Sequence, residues 1–323
     1  MKRWVRVTAT LLVTAAAVSY IVLKVDLGKT LDIMRSASPW WLAASALLTI
    51  ATTLPMAWRW QLLLAVRGVH DSFWWLLRAY FVSSAVGQIL PTSVGGDASR
   101  IFETARRHPG RITPITGSVL LERAIGGAVT VLLAGIGLLL AIGRYNIGAY
   151  VWIELLFVVG TIAAGIGFFS RRVRARLRFA LPYARRLRLE TPARAVYDGI
   201  HGYRDHVSTL VVVGVVTIVM QVFRIVAIYA SGRAVGIHLP VLPYFVLGPL
   251  LFLVLLVPFT VNGIGVREAF FVSFLGKLGV NADAAFACGF IFFVMTIVLA
   301  LPGMVIILWE GLRRRPAVMN EAA

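Results

Sequence analysis

"ILPTSVGGDASRIFE", residues 89–103, interrupts an apolar region with Pro91, the Gly95-Gly96 pair, Asp97 and Arg100. A similar interruption recurs as "LVPFTVNGIGVRE", residues 256–268, with Pro258, Asn262, Gly263, Gly265, Arg267 and Glu268. Each divides its region, 73–105 or 240–277, into pieces individually short for a bilayer crossing, which takes about 20 residues. Proline ends a helix and glycine permits an unusual turn. Each region is therefore expected to be a helical hairpin that dips into the membrane and returns to its own face, its tip buried in protein or lining a wet cavity.

The rest of the chain supplies the membrane. Of 323 residues, 59% are hydrophobic and 14% charged, against roughly 25% charged in soluble domains. Apolar runs cover 5–23, 40–58, 112–142, 150–169, 207–231 and 283–309, each adequate for a full crossing. The alternating pattern of a membrane β-barrel is absent. The opening "MKRWVRVTATLLVTAAAVSYIVL" resembles a signal peptide but has no convincing cleavage site, so it is expected to stay as the first span. The single cysteine, Cys288, allows no intrachain disulfide, and the five histidines lack metal-ligand spacing.

A net charge of +18 invites a nucleic-acid partner, but the excess sits in short segments between apolar runs. There the positive-inside rule accounts for it, and no nucleic acid is expected. With the N-terminus cytoplasmic, Arg59, Arg67, Arg106, Arg107, Arg111, the ten arginines of 170–206 and Arg313 to Arg315 all fall on one side. This works only if both broken regions return to the face they entered. The expected fold is one domain over 1–323, an all-α polytopic membrane protein of six full transmembrane helices plus two re-entrant helical hairpins from opposite faces. Multi-pass in the cell (inner or cytoplasmic) membrane, it has both termini cytoplasmic. The basic loop 170–206 is read as a topology determinant that could also meet anionic lipid heads.

The two broken stretches belong to longer blocks. "PMAWRWQLLLAVRGV" (55–69) precedes the first and "VMQVFRIVAIYASGRAVGI" (219–237) the second. Arg59 precedes Pro91 by 32 residues and Arg224 precedes Pro258 by 34. Span, hairpin and span recur over about 39–142 and 207–311, starting from opposite faces. That is an inverted-topology repeat, an architecture of secondary transporters whose sites lie at the repeat interface.

Charged groups at bilayer depth cost about 2.5–3.5 kcal/mol even on lenient scales. In the first tip Gly95 and Gly96 are expected to turn the chain and Asp97 to cap the outgoing helix. A helix N-terminus suits an anion such as phosphate, and Arg100 could add a bidentate contact. In the second, Asn262, Gly263 and Gly265 do the turning while Arg267 and Glu268 open the return helix. Helix termini facing each other would enclose a small polar chamber. For Asp97, capping alone and a part in the site stay equally open. Glu122 and Arg123 could reach the chamber or pair with neighbours. Arg59 and Arg224 are read as structural or interfacial, and Glu310 as interfacial.

"LPTSVGGDASRIF", "VPFTVNGIGVREAFF", "SVLLERAIG" (118–126) and "MAWRWQLLL" (56–64) together resemble the lysylphosphatidylglycerol synthase transmembrane-region family over essentially the whole chain. Asn262, where glycine is more usual, and Thr92 depart from its pattern. The resemblance implies a flippase-like protein, a transporter rather than an enzyme, without a cofactor and without the family's soluble synthase domain. Its partner would be a membrane lipid: an anionic phospholipid, an aminoacyl-phosphatidylglycerol, a hopanoid or a polyprenyl-linked lipid. The alternatives are a membrane-embedded headgroup or glycosyl transferase, which paired carboxylates and arginines could serve, and a scaffold for such an enzyme. Against a transferase, the sequence has no Gly-rich nucleotide loop.

Overall fold

Helices occupy the apolar runs in the computed structural model, which describes residues 18–89, 95–141, 143, 152, 156, 159–160, 202–203, 205–256, 263 and 265–313. The expected spans 5–23 and 150–169, the loop 170–206, Pro91, Pro258 and Asn262 lie mainly or wholly outside those residues. No strand occurs among the described residues, and the chain is an all-helical, multi-pass membrane protein. Among the described residues, four stretches are long and apolar enough to cross: Pro39–Val66, Ile112–Leu140, Val207–Ala234 and Ala282–Leu312.

A short helix, α1 (Leu27–Arg35), is capped by the Asp26 carboxylate, which accepts from the Gly28 N–H at 2.9 Å. The next four-helix unit comprises the first span, α2 (Pro39–Ala51) and α3 (Thr53–Val66), joined at Thr52, then α4 (Phe73–Ile89), α5 (Gly95–Arg107) and α6 (Ile112–Ala141). The second unit repeats that order with α7 (Val207–Ala234), α8 (Leu242–Leu256), α9 (Val266–Gly276) and α10 (Ala282–Arg313). In both, a long span is followed by two shorter helices and another long span.

The first spans of the two units run antiparallel. The Ser38 N–H donates to the Ala234 carbonyl at 2.9 Å, and the buried Ser45 hydroxyl lies 2.9 Å from that of Ser231. Further along, Arg59 reaches Thr217 at 2.9 Å, and the Tyr203 hydroxyl donates to the Leu63 carbonyl at 2.9 Å. Numbers rise on one helix as they fall on the other, so these two spans are antiparallel. In lipid, apolar burial alone drives little helix association, and small residues and interhelical hydrogen bonds carry more of the contact.

The units also exchange helices reciprocally. The first hairpin arm of each packs against the last span of the other, α4 on α10 and α8 on α6. One glycine makes each approach possible. A Cβ on Gly303 would stand 1.9 Å from the Phe81 carbonyl oxygen, and one on Gly137 would stand 2.4 Å from that of Phe245. Phe81 follows Tyr80 and Phe245 follows Tyr244, so the same Tyr-Phe step meets the same glycine twice. This pair of contacts sets the register between the repeats.

Candidate functional site

Five helices converge on a buried carboxylate. Glu122, the eleventh residue of α6, is 1% exposed. Its Oε1 accepts from Arg59 Nε at 2.9 Å and Nη2 at 2.5 Å, and from the Tyr80 hydroxyl. Its Oε2 lies 2.7 Å from Arg100 Nη1. Arg59 comes from α3, Tyr80 from α4 and Arg100 from α5, while Thr217 of α7 accepts the remaining Arg59 contact.

Arg100 is the hub of the first hairpin. Its Nη1 donates to Tyr80 at 2.6 Å, its Nε to Asp97 Oδ1 at 3.0 Å, and its guanidinium lies over the rings of Tyr80 and Trp60 at 4.5 and 4.7 Å. Trp60 is held in turn by its indole N–H on Ser118 at 3.0 Å. Asp97 carries the chain of contacts outward through Oδ2 to Arg123. The charges alternate, Arg59, Glu122, Arg100, Asp97 and Arg123, so each buried ion faces opposite sign. Such pairing is what makes ions at low dielectric tolerable, because an unpaired one keeps its full desolvation cost.

Two expectations about this hairpin are corrected. The chain is already helical at Gly95, so Asp97 is the third described residue of α5 and pairs with arginines instead of capping the helix. Gly95 and Gly96 are helical too, not a turn. Gly96 is required for close packing, since a Cβ there would lie 2.5 Å from the Ser83 carbonyl oxygen across the hairpin.

The second hairpin matches its reading more closely among the described residues. Gly263 and Gly265 have φ of 74° and 83°, a region that favours glycine, and α9 opens with Arg267 and Glu268 near its start. The Glu268 carboxylate accepts from the Gly265 N–H at 2.7 Å through Oε2 and pairs with Arg267 Nε at 2.9 Å through Oε1. The Arg267 guanidinium lies 4.5 Å from the Phe293 ring. This pair borders a cavity of about 250 Å³ walled by Phe286, Phe290 and Phe293.

The structure thus joins Asp97, Arg100, Glu122 and Arg123 in one network and sets Arg267 with Glu268 and Gly265 in another. Arg59, expected to be interfacial or structural, is 5% exposed and bound to Glu122; Tyr80 was not anticipated at all. An arginine with no acid on its own helix was the available signal for Arg59. Glu310, read as interfacial, pairs with Arg78 at 2.5 Å, while Arg78 also holds Glu103 at 3.1 Å. These bonds tie α4 and α5 of one unit to α10 of the other.

A family model described as the lysylphosphatidylglycerol synthase TM region matches residues 7–303. No curated protein and no solved structure matches the chain.

Proposed function

The chain belongs to the lysylphosphatidylglycerol synthase transmembrane-region family, and on that footing we propose that it is a flippase moving a phosphate-bearing or otherwise anionic lipid between leaflets. The observation that carries this reading is the antiparallel, reciprocal packing of two like units around buried charge. Relative movement of inverted halves opens a central site to each face in turn. At the first hairpin, phosphate oxygens would compete with Asp97 and Glu122 for the N–H groups of Arg100, a bidentate donor suited to them. At the second, the phenylalanine walls beside Arg267 suit a hydrocarbon chain, with the charged pair at the headgroup end. A gradient or lipid asymmetry supplies the energy, and the positive-inside distribution supports a cell-membrane location with cytoplasmic termini.

Proteoliposomes containing fluorescent phosphatidylglycerol test this. An impermeant quencher should reach inner-leaflet label faster with the protein than in protein-free vesicles, and Arg100→Ala should slow that movement at least about ten-fold, the equivalent of 1.4 kcal/mol. Equal rates with and without the wild-type protein would end the reading.

A further inference from the structure

Arg224 is the eighteenth of the 28 residues of α7, roughly 5 Å along the axis from the helix middle. Its Nη1 donates to Gln221 Oε1 at 3.3 Å, and its guanidinium lies 3.9 Å from the Phe252 ring centroid. No carboxylate pairs with it among the described residues. Arg233, in the last turn of α7, likewise has no carboxylate among the described residues and lies over Trp41, but four other arginines of the helical units are paired. Arg59 has Glu122, Arg78 has Glu103 and Glu310, Arg100 has Asp97 and Glu122, and Arg267 has Glu268.

The repeat explains the vacancy in charge. Arg224 stands in the second unit where Arg59 stands in the first. Glu122 lies fifteen residues before Gly137, and fifteen residues before Gly303 the second unit has Cys288. The thiol is fully buried and offers no negative charge to an arginine. The tyrosine of the second unit registers the same loss. Tyr80 donates to Glu122, whereas the buried Tyr244 hydroxyl has no hydrogen-bond partner among the described residues. Arg59 and Arg224 also abut the same stretch of α7 and repel each other, since Arg59 binds Thr217 two turns earlier. Phe252 softens the cation but cannot neutralise it. The residue is only partly buried, and an uncompensated ion inside a span marks a functional site.

We propose that Arg224 is an anion-binding residue of the second unit, taking a phosphate-type anion in the role that the Glu122 carboxylate plays for Arg59. This rests on the transport reading for its lipid, and deepens it by placing a headgroup contact on α7, beside the first arm of the second hairpin. Gln221 provides the test, because Gln221→Glu puts an almost isosteric carboxylate on Arg224. Purified protein would be titrated with short-chain phosphatidylglycerol, short-chain phosphatidylcholine and inorganic phosphate, with binding followed by native mass spectrometry. Gln221→Glu and Arg224→Gln should each weaken phosphatidylglycerol binding at least about ten-fold at one site, with phosphatidylcholine unaffected. Gln221→Met, which removes the Gln221 hydrogen bonds to Arg224 and Thr130 without adding a charge, should weaken binding less than Gln221→Glu does. If the two variants weaken only inorganic phosphate, the site stands and its anion is soluble. Phosphatidylglycerol and phosphate both bound at wild-type strength by folded Gln221→Glu and Arg224→Gln would overturn the proposal. Lipid movement by wild-type proteoliposomes is scored separately, so unchanged binding alongside intact transport removes this inference alone.

Discussion

Glu122 is gripped by Arg59, Tyr80 and Arg100 from three helices, and it neutralises two buried guanidinium groups at once. Replacing it with glutamine would leave Arg59 without its only carboxylate among the described residues and strip one from Arg100. Removing one member of a buried ion pair costs about 3–5 kcal/mol. Glu122→Gln should therefore lower the thermal unfolding midpoint in detergent far more than Asp97→Asn, since Arg100 keeps Glu122 when Asp97 is lost. Similar midpoints for the two variants would mean the network is not centred on Glu122. The acid was readable in the sequence as a carboxylate out of place in an apolar run. Its partners were not, because Arg59 and Tyr80 lie 63 and 42 residues away, and no local period links them.

The helices meet through glycines whose importance depends on what stands opposite. Gly137 and Gly135 lie on the same helix, yet only Gly137 faces a neighbouring backbone, with nothing within 4 Å of a Cβ at Gly135. Gly137→Ala and Gly303→Ala should each destabilise by about 1–3 kcal/mol through overpacking. Gly135→Ala should be neutral or gain up to about 1 kcal/mol from helix propensity. Melting curves of the three variants in one detergent provide the comparison. Hairpin positions were legible as proline and glycine breaks between short apolar pieces. The use of Gly96 was not, since a glycine pair after a proline reads as a turn until the Ser83 carbonyl is seen across the hairpin.

Across the molecule, antiparallel pairing of the two first spans makes a direct geometric prediction. Ser45→Cys with Ser231→Cys should form a disulfide on mild oxidation, because the two hydroxyl oxygens are 2.9 Å apart. Ser45→Cys with Thr217→Cys should stay unlinked, since Thr217 meets Arg59, about 20 Å further along the helix. Proteolysis followed by electrophoresis, with and without reductant, separates the outcomes; parallel spans would reverse them. Hydropathy and charge placement were enough to specify a multi-pass helical membrane protein. Those properties follow from transfer free energies, which act locally. Which arginine meets which carboxylate, and which is left without one, was decided by packing between distant helices. Arg59 and Arg224 occupy like places in like blocks, and a carboxylate near one and a thiol in the corresponding place give them different electrostatic lives. In the stretch at 89–103, the acid and base complete a network reaching α3, α4 and α6.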